Sequence, residues 1–399
     1  MHNLFARRTS WNLATNRYTE ALAAHRRATR EVLDLTASNP TTIGLRYRED
    51  ELLKALANGE ALTYNPEPNG LLAAREAVST YYAAHGSQVS PDNLILTTST
   101  SEAYAFLFRL LCDPGDTVLV PAPSYPLFDF LADLHDVKLE RYELVYDHGW
   151  QIDFHSAQAA MERASRAASR CRAVLAVHPN NPTGSFVKPR EAEELNRICA
   201  ANEMAMVADE VFLDHSLGKD PPLTFSSNSS VLTFTLSGLS KISGLPQMKI
   251  AWIAASGPQS LLSDAMSRLE VIADTYLSMN TPLQWAVPVM LEERHGIQRQ
   301  LRQRMTGNLA VLDAELASQE LCRRLKVEGG WYAVLRVPVV GPDEDLAIAL
   351  LLETGVLVQP GHFYDFASDG HLVISLITPG DEFAEGIRRL LACVAGRHS

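Results

Sequence analysis

The 399-residue chain has no run of 18 apolar residues, so no segment of it reads as a membrane-spanning helix. It has no block of Lys or Arg, and its 47 acidic residues outnumber its 35 basic ones, for a formal charge of −12. That balance argues against nucleic acid or an anionic membrane surface as a partner. The five cysteines, Cys112, Cys171, Cys199, Cys322 and Cys393, form no CxxC pair and no His/Cys ligand cluster. Neither a metal site nor a disulfide framework is expected; the thiols read as free and the protein as cytoplasmic. The N-terminal stretch MHNLFARRTSWNLATNRY lacks the apolar segment of a secretory signal. Internal repeats and low-complexity linkers are also missing.

What is present is an ordinary globular composition, 46% hydrophobic and 21% charged. The length suggests two domains, or one large domain with an appendage. The middle of the chain alternates β-branched apolar runs with helical periodicity. NLILTTST, TVLVPAP, CRAVLAVHP, MAMVADEVF, SSVLTFTLSG and KIAWIAAS read as strands, and SEAYAFLFRLL, LFDFLADLH and KPREAEELNRICAANE as helices. This pattern predicts an α/β fold with a mostly parallel sheet covered by helices. The C-terminal third reads as long amphipathic helices with short strands in WYAVLRVP, VLVQP and LVISLI. The expected division is a large domain over 60–285 and a smaller α+β domain built from both chain ends, 1–59 and 286–399.

In such sheets ligands bind beyond the carboxyl ends of the strands. Five strand-end loops carry suitable groups. TTSTSEA opens a helix with Ser99, Thr100 and Ser101; it serves either as a simple N-cap or as a phosphate cup. PAPSYPLF presents Tyr125, a core aromatic or a stacking face. HPNNPTG holds Asn181 in a constrained turn, where its amide is either part of the turn or a donor to a ligand oxygen. VADEVF ends a strand with Asp209 and Glu210 among apolar residues, where a carboxylate needs a cation or a protonated nitrogen unless solvent reaches it. SGLSK carries Lys241, a surface residue if solvated and a Schiff-base nucleophile if desolvated. Phosphate cup, stacking ring, ring-oxygen donor, ring-nitrogen carboxylate and nucleophilic amine are together the groups that a pyridoxal phosphate site requires.

On these loops, and on DLTASNPTTIGL, YNPEPNGLLAAREAV, CDPGDTVLVPAPSYP, LSKISGLPQMKIAW, EGGWYAVL and VQPGHFYDF, the chain resembles the fold type I, class I/II aminotransferases. The resemblance implies pyridoxal 5′-phosphate as cofactor, held by Lys241 in a Schiff base. It implies that Asp209 pairs with the ring nitrogen, Asn181 bonds the ring oxygen and Tyr125 stacks on the ring. Thr100 and Ser101, with Ser99, Ser240 and Lys249, would hold the phosphate. Tyr64 would reach the phosphate of the neighbouring subunit, making a homodimer the expected unit. Asn39 would lie over the substrate carboxylate. The expected reaction is ping-pong transfer of an amino group between an amino acid or amine and a 2-oxo acid. A lyase, decarboxylase or racemase reaction on the same cofactor is the alternative, and a cofactor-binding sensor without turnover is the third reading.

Four positions depart from the family pattern. Lys249 stands where an arginine is usual. Gly238 replaces a hydroxyl residue three positions before Lys241, with Ser237 or Ser240 as substitutes. Phe212 replaces a tyrosine three positions after Asp209. Val373 stands where the carboxylate-binding arginine is expected, which removes a bidentate clamp. Arg46, His362 and His371 are the candidate replacements.

Overall fold

The computed structural model describes residues 4–28, 30–219, 222–277 and 279–398. Met1 to Asn3 of the N-terminal stretch read above therefore lie outside the described residues. The first strand, β1 (Leu33–Asp34), sits far from the main sheet and pairs in parallel with Val356–Leu357 near the other end of the chain.

The main sheet has eight strands: β2 (Leu94–Thr97), β3 (Thr117–Ala122), β4 (Lys138–Tyr146), β5 (Trp150–Ile152), β6 (Cys171–Val177), β7 (Ala205–Asp209), β8 (Thr233–Gly238) and β9 (Ala251–Ser256). Their spatial order is β2-β9-β8-β7-β6-β3-β4-β5. The run β8-β7-β6-β3-β4 is parallel, while β2, β9 and β5 pair antiparallel. The β-branched and aliphatic runs form this sheet because both faces are covered. On β9, Ile253 and Ala255 face one apolar cluster with the helices Thr100–Leu111 and Gln259–Thr275. Trp252 and Ala254 alternate to the other side, toward the helices Leu72–Ala84 and Thr281–Glu292. Period-two alternation with both faces buried accounts for the near-continuous apolar reading of these strands.

The antiparallel extension β4–β5 was not among the strands expected from sequence. β4 is mostly exposed or half-buried, with only Tyr142 fully inside, so it lacks the continuous apolar signal of its neighbours. The smaller sheet is antiparallel, in the order β10 (Arg323–Arg324), β11 (Tyr332–Arg336), β14 (His371–Ser375), β13 (Gln359–Pro360). The single strand expected in VLVQP is two: β12 (Val356–Leu357) pairs with β1, and β13 pairs with β14. One apolar cluster joins this sheet to Leu33 and Leu35 of the N-terminal segment and to the helices Arg294–Leu316, Asp343–Thr354 and Gly380–His398. Trp150 of β5 and Phe212, just after β7, enter the same cluster, so the smaller sheet packs onto the larger.

Candidate active site

The carboxyl ends of β3, β6, β7 and β8 lie side by side, and the start of β9 returns against Gly238. Beyond them opens a cleft of about 420 Å³, closed on its far side by Ser38, Tyr332, Gln359 and Tyr364. Ser99, Thr100, Ser101, Tyr125, Asn181, Asp209, Ser240, Lys241 and Lys249, nine of the residues singled out in the sequence, all line it.

Lys241 sits in the short helix Leu239–Ile242 that follows β8. Its Nζ lies 4.7 Å from the centroid of the Trp331 ring and 5.5 Å from that of Phe212. Burial pushes its pKa down to about 8, against the pull of Asp209. A poised amine, rather than a solvated ammonium, is what a nucleophilic lysine requires. His215 Nε2 lies 2.9 Å from the carbonyl oxygen of Lys241 and steadies this turn.

Asp209 ends β7 and is buried. Burial raises its pKa, while the Tyr104 hydroxyl, the Val211 N–H and Lys241 favour the ionised form. Tyr104 donates to Oδ2 at 2.8 Å and the Val211 N–H to Oδ1 at 3.2 Å. Tyr104 was not singled out in the sequence. Its role depends on a contact across 105 residues, and its periodic place in SEAYAFLF reads only as core.

In the turn HPNNPTG after β6, Asn180 and Asn181 divide the work. Asn180 is internal: its Oδ1 accepts from Thr183 and its Nδ2 donates to Ser124. Asn181 lines the cleft with a buried Oδ1 that has no hydrogen-bond partner. A buried amide left unpaired is costly and is normally satisfied by something.

Ser99 is the N-cap of the helix Thr100–Leu111, accepting from the Glu102 N–H at 3.2 Å, while Glu102 accepts from the Thr98 N–H at 2.7 Å. The capping role weighed for this loop is therefore present. It leaves the N–H groups of Thr100 and Ser101 at a helix N-terminus that favours an anion. Ser240 and Lys249 face the same end of the cleft, and Lys249 holds a left-handed backbone at φ 51°.

The departures also find physical reasons. A Cβ at Gly238 would meet the Ile250 carbonyl oxygen at 2.7 Å and Ala251 Cβ at 2.8 Å, so no hydroxyl residue fits there. Ser237 is buried with its hydroxyl 3.4 Å from the Glu210 carbonyl and does not line the cleft; Ser240 does. Phe212 packs edge-on against Trp331 at 5.3 Å. Val373 is fully buried in β14, with Val334 and Gln359 as its cross-strand neighbours.

None of the three candidate replacements for the arginine reaches the cleft. Arg46 lines a separate groove with Arg48, Glu293 and Arg299. His362 is exposed, and His371 is buried, stacked on Phe366 at 4.6 Å with Nδ1 3.0 Å from the Ser368 carbonyl oxygen. Asn39 caps the turn Pro40–Thr42, accepting from the Thr41 N–H at 3.0 Å and its hydroxyl at 2.7 Å; the adjacent Ser38 is the residue at the cleft. Tyr64 is 74% exposed and away from the cleft of its own chain. Among the described residues there is no cluster able to hold a metal ion, and no helix is long and apolar enough to cross a membrane.

The family model for class I and II aminotransferases matches residues 12–390, and the chain belongs to that family. It is 27% identical over 372 residues to an aspartate/prephenate aminotransferase of Thermus thermophilus, covering 92% of each chain. It is 25% identical over 375 residues to an alanine aminotransferase of Mycobacterium tuberculosis, covering 90% of this chain and 84% of that one. Its fold is similar to that of an alanine aminotransferase from Pyrococcus furiosus, with a TM-score of 0.87 at 21% identity over 98% of this chain and 100% of the other. The fold type I α/β architecture and the aminotransferase class are thereby established; class I and II aminotransferases depend on pyridoxal phosphate.

Proposed function

We propose that this chain binds pyridoxal 5′-phosphate in the cleft and moves an amino group from an amino acid or amine to a 2-oxo acid by a ping-pong cycle. The reading is carried by one convergence: the desolvated amine of Lys241, the buried carboxylate of Asp209 and the unpartnered amide of Asn181 meet in one cleft. The donor set fits the cofactor: the Lys241 amine matches its aldehyde, the Asp209 carboxylate its protonated ring nitrogen, and the unpaired Asn181 Oδ1 accepts from its ring hydroxyl.

In this reading Lys241 would hold the cofactor through its amine and, as a free amine, would take up the proton from the donor's α-carbon. The bound cofactor supplies a sink for the electron pair left behind. Asp209, oriented by Tyr104 and Val211, keeps the ring nitrogen protonated. Asn181 bonds the ring oxygen, and Tyr125 covers one face of the ring. Ser99, Thr100, Ser101, Ser240 and Lys249 hold the phosphate. Over both half-reactions the donor's C–N bond becomes C=O and the acceptor's C=O becomes C–N; the amino group and two electrons pass between them, and no further oxidant is needed.

Residues 60–285 form the cofactor-binding domain on this reading, and 1–59 with 286–399 form the domain that supplies the far wall. The working unit is a cytoplasmic homodimer in which Tyr64 reaches the neighbour's phosphate. Protein purified with added cofactor should absorb between roughly 320 and 430 nm. Lys241→Ala should lose both that band and turnover while remaining folded. No band in the unsubstituted protein overturns the proposal, and ammonia release without an acceptor would favour a lyase.

A further inference from the structure

On the footing of that reading, we infer that the amino donor presents an uncharged polar group, of the primary carboxamide kind, to the wall facing the cofactor, rather than a free carboxylate. Among the described residues lining the cleft, the charged ones are Asp209, Lys241 and Lys249. Each has a task toward the cofactor, so the chain's own lining leaves no cation for the substrate.

The facing wall is neutral but not apolar. Gln359 Oε1 accepts a hydrogen bond from the Tyr364 hydroxyl, which orients the amide. Its Nε2 makes no hydrogen bond to a described residue and is left as a donor at the cleft wall. The Tyr332 hydroxyl interacts with Ser38 on the same wall. Beside Gln359 on the neighbouring strand stands Val373, fully buried and without a polar side-chain group.

A carboxylate placed here would lose water and find no counter-charge on this wall, and an unpaired charge is expensive to desolvate. A carboxamide instead offers its oxygen to the Gln359 N–H and its own N–H to a neutral oxygen of the wall. Neutral hydrogen bonds are weaker than charge-assisted ones, but they leave no charge uncompensated.

The test uses cofactor-loaded protein and two ligands without an α-hydrogen, α-methylalanine and α-methylalaninamide, which bind but cannot be turned over. Affinities are read by titration of the cofactor absorbance and by calorimetry, corrected to the concentration of neutral amine. The amide should bind at least about tenfold more tightly than the acid, the scale of one charge-assisted interaction withheld. Gln359→Arg should reverse that order. Gln359→Leu, which adds no charge, should weaken the amide several-fold (~3-fold or more) and leave the acid unchanged. If the acid binds as tightly as the amide or more so, or if neither binds while the cofactor band is intact, the inference is wrong and the aminotransferase reading stands. If the band itself is missing, that reading fails first.

Discussion

Two residues on either side of one turn, Gly238 and Lys241, illustrate how much the cleft constrains single side chains. Lys241 has its pKa lowered to about 8 by burial, so its reactive neutral fraction grows as pH rises through that value and is largely present well below the ordinary lysine range. Cofactor capture by the cofactor-free protein should therefore accelerate about tenfold between pH 6.5 and 7.5 and level off above pH 8.5, as followed by stopped-flow absorbance. A rate that keeps climbing to pH 10 would mean that the amine is not desolvated. Gly238 has an extended backbone that any residue could adopt; its constraint is space, because β9 passes directly beneath. Gly238→Ser, which restores the hydroxyl usual in the family, should cost about 2 kcal/mol of stability through overpacking against backbone. The urea midpoint measures this; an unchanged midpoint would show that β9 yields.

At the scale of elements, the start of the helix Thr100–Leu111 does two jobs, and Ser99 shares in both. Ser99 and Glu102 exchange hydrogen bonds with the Glu102 and Thr98 N–H groups, in the manner of a capping box. Thr100 and Ser101 belong to the cleft. The two jobs predict different phenotypes. Ser99→Ala should lower the stability of the cofactor-free protein by about 1 kcal/mol. Thr100→Ala should leave that stability nearly unchanged and raise the cofactor's dissociation constant, on the order of tenfold for one lost phosphate contact. Denaturation and cofactor titration of both variants separate the roles. The loop HPNNPTG is divided in the same way. His178 is held neutral by burial, its pKa pushed down to about 4, with Nδ1 accepting from the Val187 N–H and Nε2 bonding the Leu223 carbonyl oxygen. That scaffold, with Asn180, leaves Asn181 at the cleft.

At the scale of the whole molecule, the exposed Tyr64 beside the 94%-exposed Leu62 is a surface that the proposed homodimer would use. Sedimentation should give twice the mass of one chain, and Tyr64→Phe should weaken cofactor affinity about fivefold without altering that mass, the loss expected for one hydroxyl–phosphate hydrogen bond. A monomer with full cofactor affinity would remove Tyr64 from the site.

The parts legible in the sequence were those that local chemistry dictates. Strands buried on both faces must read as apolar runs, so the central strands of the sheet were visible, while the half-exposed β4 was not. Loops after such strands must carry the polar groups, so Lys241, Asp209 and Asn181 could be named from their own segments. The sequence by itself also determined that the usual arginine is missing at Val373, because that is a matter of residue type at a spacing. Only the tertiary structure decided what stands in its place. Arg46 and His371 looked eligible as residue types, yet one lines another groove and the other is buried on Phe366. Gln359, Tyr364 and Tyr332 form the wall because the packing of two sheets brings them to the mouth of strands far from them in sequence. Contacts over such separations are set by packing and strand register, which leave no mark on the segments that make them.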